Sequence, residues 1–139
     1  MPTLPARPLP PAIGATENAL RRLLAHALAD SLIRSYDEWV YLNIADRTGG
    51  PTEVEALVAD ALQQPPEVAA AVRAGLIHGG LLDASGSLTA AAREVLRRCR
   101  ATVAEFTETL VAGIDPTAMQ TTLDTLDVVR ASALRLMER

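Results

Sequence analysis

Apolar residues recur at helical spacing along most of this chain. Leu20, Leu24, Leu28 and Leu32 share one stripe with Leu23 and Ala27 beside it, which predicts a helix over 16–34. Ser35 followed by Glu38 has the form of a capping box, so a second helix starts there and carries Trp39, Val40, Leu42 and Ile44 until Gly49 and Gly50. Thr52 to Glu55 offers another capping box, and Val54, Leu57, Val58, Ala61 and Leu62 give a third, one-faced helix. Gln63-Gln64-Pro65-Pro66 breaks it. A fourth helix begins near Pro66 or Glu67 with Val68, Val72 and Leu76 inward, and Gly79-Gly80 stops it.

The pattern then changes. Leu81-Leu82-Asp83, a turn at Ala84-Ser85-Gly86 and a return through Ser87-Leu88 predict a minimal β-hairpin. Thr89 supplies an N-cap oxygen for a long helix. Its apolar positions are Ala92, Leu96, Cys99, Val103, Phe106 and Leu110, with gaps alternating four and three. Such a seam wants a helical partner along its length. Gly113 ends this helix, and Asp115-Pro116 opens a last one, with Met119, Leu123, Leu126, Val129, Ala133 and Leu136 inward. Ahead of all this, residues 1–15 read as an extended, Pro-rich arm, either a disordered tail or a segment laid across a dimer partner. Pro2, Pro5, Pro8, Pro10 and Pro11 oppose a helix there, while Leu4, Leu9 and Ile13 give the arm something to bury.

Two helices joined by a short turn, then a hairpin feeding a seam helix, is the order of a winged helix-turn-helix. With Asp37-Glu38-Trp39, Gly80-Leu81-Leu82 and Leu88-Thr89 at their spacing, residues 16–137 resemble the MarR family of regulators. The resemblance implies a mainly α fold of three parts. Residues 16–34 and 89–139 would be dimerisation helices, 35–88 a winged helix-turn-helix with a minimal β-hairpin wing, and the whole of 16–139 one domain. It implies a homodimer that binds double-stranded DNA and responds to a small-molecule ligand lodged between the first two helices and the long helix.

Charge alters that picture where DNA would lie. All 13 basic residues of the chain are Arg. From 51 to 88 there is one, Arg73, against Glu53, Glu55, Asp60, Glu67 and Asp83, one positive and five negative side chains, a net charge of −4. Non-specific duplex affinity comes from neutralised phosphates, so this balance is unfavourable. The residues left to contact DNA are Gln63 and Gln64 before the fourth helix, Arg73 within it and Arg93 after the wing. The alternative is a MarR-fold protein that has lost DNA binding and binds or converts a small molecule.

For such a ligand the expected wall is His26, Asp30 and Arg34 from the first helix, at successive i+4 positions, with Trp39 and Asn43 from the second. In the alternative reading His26 and Asp30 carry acid–base catalysis. The bland reading of the same ladder is an exposed face with an Asp30–Arg34 pair. Cys99 on the seam reads as a small hydrophobe, and His78 as part of a helix stop. His26 and His78 fit no metal-ligand spacing, and neither a metal nor a cofactor is expected. A single Cys suits a reducing compartment, and no apolar run approaches membrane-spanning length or the core of a signal peptide. A cytoplasmic protein without membrane contact is expected.

Overall fold

A computed structural model describes residues 7–48 and 50–139, apart from the side chain of Pro51. It is mainly helical, with α1 Leu9–Leu28, α2 Tyr36–Arg47, α3 Pro51–Leu62, α4 Pro66–His78, α5 Ala90–Val111 and α6 Pro116–Met137. The chain divides into two compact units, Met1–Val103 and Ala104–Arg139.

In the first unit α2, α3 and α4 pack pairwise, and α1 touches α2. Their shared core holds Tyr41, Leu42, Ile44, Val54, Val58, Ala69 and Leu76, joined by Leu81, Leu82, Ala92, Leu96 and Cys99. The stripes read from the sequence are only partly the buried ones. On α3, Leu57 and Ala61 are exposed and Ala59 is buried instead. α2 and α4 flank this helix, and their positions rotate the buried arc toward Val54, Val58 and Ala59.

Helix ends depart from expectation in three places. α1 begins at Leu9, so Leu9 to Gly14 are helical rather than an extended arm; the arm expected over residues 1–6 lies outside the described residues. Pro10 and Pro11 fall in the first turn, where backbone N–H groups have no intrahelical acceptor, so the missing donors cost nothing. At its other end α1 stops at Leu28, not Arg34. Ser31 folds back, its Oγ donating to Leu28 O at 2.8 Å and accepting from Ile33 N at 3.1 Å. α3 is capped by Gly50 with no side-chain hydrogen bond, so the Thr52 capping box does not form. Pro51, with its preset φ, takes N1 and moves the start of the helix forward. The expected stop at Gly49 lies outside the described residues.

Three other caps match their sequence signals. Ser35 Oγ accepts from Glu38 N at 3.2 Å, Asp115 Oδ2 from Ala118 N at 3.0 Å, and Thr89 Oγ1 from Ala92 N at 3.2 Å.

Between α4 and α5 the expected hairpin is reduced to one antiparallel bridge, Leu82 to Leu88, and no strand occurs among the described residues. Gly80, at φ +79°, turns the chain out of α4, and Thr89 already caps α5. The intervening Asp83–Gly86 turn is closed by Gly86 N donating to Asp83 O at 2.9 Å. Little chain is left from which to build a ladder. Leu81 and Leu82 are buried and anchor the segment to the core.

The second unit contains the end of α5 and all of α6. α6 has no buried residue. Leu123, Val128, Leu136 and Met137 are exposed, and Met119, Leu126 and Val129 are only half-buried.

Candidate functional site

The helix pair α3–α4 and the turn that follows hold the residues expected to meet DNA. Gln63 caps α3 in the left-handed region, at φ 51°. Its Nε2 donates to Asp60 O at 2.7 Å, so the side-chain amide closes its own helix end. Gln64 is exposed beside it.

Arg73 is half-buried, and its guanidinium lies over the Asp83–Gly86 turn. A Cβ on Gly86 would stand 3.0 Å from Arg73 Nη2 and 3.1 Å from its Nε. The Nε is buried and has no hydrogen-bond partner among the described residues. Burial pushes the Tyr41 hydroxyl above its usual range; the charge of Glu55 adds to that shift and that of Arg73 opposes it. Arg93 is exposed and shares a polar cleft with Asp46, Thr48, Ser85 and Ser87. Gly86 lines this cleft as well, so Arg73 and the Arg93 cleft border the same turn. The two glutamines lie apart, in the α3–α4 connection.

The turn itself is tightly bonded. Asp83 Oδ1 accepts from Ser85 N at 2.9 Å, Ser85 Oγ at 2.6 Å and Ser87 N at 3.0 Å. These bonds, led by the Ser85 hydroxyl, hold its carboxyl below the usual range. Cations on the early turns of α5 are largely engaged. Arg97 and Arg98 both bind Glu94, whose carboxyl they lower to about 2, and Arg100 binds Asp46 at 2.8 Å.

A second concavity, of about 270 Å³, lies between α1 and the start of α2. Leu24, Ala25, Leu28, Ala29 and Ile33 make its apolar wall, and Arg21, Ser31, Arg34, Ser35 and Tyr36 its polar one. Of the expected ligand residues it contains Arg34 alone. His26 and Asp30 are exposed and do not line it: α1 meets the cleft through Arg21, Leu24, Ala25 and Leu28 and ends there, so Asp30 and Arg34 lie beyond the helix and the i+4 ladder does not form. The Asp30–Arg34 pair of the bland reading is replaced by Arg34–Glu38, at 3.0 Å. Trp39 packs half-buried against the core. Asn43 is spent on structure, its Nδ2 donating to Trp39 O at 2.8 Å and its Oδ1 accepting from Arg100 Nε at 2.9 Å.

Arg34 and Glu38 form the polar hub of this region. Glu38 is only 7% exposed, and its two oxygens accept from the Arg34 backbone N–H at 2.8 Å and from Arg34 Nη2 at 3.0 Å. The same Nη2 donates to Gly75 O in α4 at 3.3 Å. Arg21 lies 4.3 Å above the Tyr36 ring and pairs with Glu17. Sequence reasoning missed Arg21, Ser31 and Ser35 as cleft residues. The i+4 spacing of Arg34 and Glu38 was a usable sign of their pairing; nothing local pointed to Gly75.

No family model matches the chain, and no curated protein matches its sequence. Among the described residues no helix is long and apolar enough to cross a membrane, and no group of His, Cys, Asp and Glu could hold a metal ion.

Proposed function

We propose that this chain is a transcriptional regulator of the MarR type, working as a homodimer whose grip on double-stranded DNA responds to a small ligand. The observation that carries this reading is the succession of α3, α4, the bridged Leu82–Leu88 segment and α5. In this reading α4 is the recognition helix, the Asp83–Gly86 turn is a reduced wing, and α1, α5 and α6 supply the dimer contacts. Gln64 and Arg93 are exposed, at the α3–α4 connection and beside the turn respectively, where each can reach a duplex.

A second reading is favoured by one specific observation. Arg73, the single basic residue of the helix pair, is packed against Gly86, leaving Glu53, Glu55, Asp60 and Glu67 as its exposed or half-exposed charges. A MarR-fold protein that no longer needs DNA, and that binds or converts a small molecule, would tolerate such a face.

Fluorescence anisotropy with a mixed-sequence duplex at several salt concentrations separates the two. The regulator reading expects measurable binding with a shallow slope, about two to four phosphates' worth per dimer. Arg93→Ala should then weaken binding to all sequences alike. No binding at low salt, with the dimer intact, would favour the second reading.

A further inference from the structure

Cations are unevenly placed in this chain. Arg93, Arg97, Arg98 and Arg100 lie on the first half of α5, and Arg47 ends α2. All five are exposed, and the acidic residues interleaved with them are Asp46 and Glu94. Five positive and two negative side chains give this region a net charge of +3, in a chain whose net charge is −4. Helix geometry and one tertiary contact make a single face of it. Arg93, Arg97 and Arg100 stand at i, i+4 and i+7, within about 60° of one another around α5 and about 10 Å along it. Arg100 reaches across to α2, with Nε donating to Asn43 Oδ1 at 2.9 Å and Nη1 to Asp46 Oδ2 at 2.8 Å. The stripe therefore borders the last turn of α2, which carries Arg47. Asp46 also lines the Arg93 cleft, with Thr48, Ser85 and Ser87, so stripe and cleft are continuous. Its ion pairs do not close the face. Glu94 is shared by Arg97 and Arg98, whose side chains stay 68% and 74% exposed. Exposed pairs of this kind are weak and yield readily to another anion.

We infer that the Arg93–Arg97–Arg100 stripe, with Arg47 beside it, is where this chain grips the phosphates of double-stranded DNA, and that α3 and α4 contribute little of that grip. It rests on the regulator reading and supplies the phosphate-contacting surface, leaving α4 to base contacts. One strand presents a phosphate about every 3.4 Å of duplex axis, so about three fall along the stripe. The two faces differ in sign. On α3 and α4 Glu53, Asp60 and Glu67 are exposed, while the one cation, Arg73, lies against Gly86. Phosphates are repelled there and attracted to α5. The stripe begins at the Arg93 cleft, beside the turn against which Arg73 of α4 packs, so one duplex can reach both elements. The Asp83 carboxylate of that turn opposes the duplex, but its Oδ1 is already held by Ser85 and Ser87.

Two matched substitutions locate the grip. Glu94→Gln and Glu67→Gln each remove one negative charge, the first beside the stripe and the second on α4. Each is measured in the full-length chain by fluorescence anisotropy with a labelled mixed-sequence duplex at several salt concentrations. Glu94→Gln also releases Arg97 and Arg98, so it should tighten binding by about threefold to tenfold and steepen the salt slope by about one per copy. Glu67→Gln should change affinity by less than about twofold. Arg97→Ala should weaken binding to all sequences and lower the slope by about one per copy. Glu67, Glu94 and Arg97 are exposed, so all three variants should melt like the parent. An effect of Glu67→Gln as large as that of Glu94→Gln would place the grip on α4 and overturn the inference. Binding that ignores both Glu94→Gln and Arg97→Ala would overturn it as well, while leaving the regulator reading standing. A single strand of the same length bound as tightly would overturn the duplex as the occupant. No duplex binding by the parent at low salt would overturn the regulator reading and this surface together, so the two failures are distinguishable.

Discussion

Arg34 and Glu38 show how burial divides the consequences of breaking one pair. Glu38 is nearly covered while Arg34 is mostly exposed, so the two ends are not equivalent. Removing the guanidinium strands a carboxylate in the interior; neutralising the carboxylate leaves a cation that water can solvate. Arg34→Ala is therefore expected to cost about 1–3 kcal/mol at neutral pH and Glu38→Gln less, as measured by urea unfolding. The reverse order would mean that the Ser35 cap, and not the ion pair, is what Glu38 supports. Gly86 is a second residue whose identity has a physical reason. Its φ of +88° lies where side chains are strained, and the space a Cβ would take is filled by Arg73. Gly86→Ala should destabilise the protein by about 1–3 kcal/mol. The loss should shrink in an Arg73→Ala background, where the crowding by Arg73 is gone, but should not vanish, because the φ strain remains.

At the scale of elements, the segment between α4 and α5 is held by its turn more than by a ladder. The Asp83 carboxyl is the acceptor around which Ser85 and Ser87 are arranged. Its folded-state value is depressed, so the stability it contributes is present above the unfolded value, about 3.9, and is lost as pH falls through the folded one. The protection of the Ser85 and Ser87 amides, relative to the unstructured rate at each pH, should persist to below about pH 4 and fall as Asp83 protonates in the folded chain. In Asp83→Ala it should be low throughout. If the parent loses no protection on acidification, the turn is held by the Leu82–Leu88 bridge and the buried leucines instead. α1 teaches a related lesson. Its prolines read as breakers, yet in the first turn they are compatible with a helix, and the position of a proline mattered more than the number of them.

The whole molecule raises a question of burial. In the second unit α6 spans 22 residues and buries none of them, and Leu123, Val128 and Met137 are 49%, 65% and 71% exposed. An isolated helix gains its stability in water mainly from packing an apolar face, so this one is expected to be covered by a second copy of the chain. Sedimentation equilibrium at micromolar concentration should give a dimer, and Leu123→Glu should dissociate it or melt the second unit. A stable folded monomer of the parent would show that α6 holds without a partner.

Much of the helical plan was legible because it is local. Periodicity at three and four residues, the Ser35, Thr89 and Asp115 caps, and the Gly79-Gly80 stop all act between near neighbours in the chain. The candidate site was legible only at Arg34. The sequence by itself determined where most helices run and that the helix pair is poor in cations. Tertiary structure decided that α1 ends at Leu28, which dissolved the His26–Asp30–Arg34 face. It also decided that Arg34 reaches Gly75, that Asn43 is taken by Arg100, and that Arg73 lies over Gly86. Each is a meeting of residues far apart in the chain, set by how helices pack, and a one-dimensional pattern of apolar positions carries no record of which polar side chain will find which carbonyl.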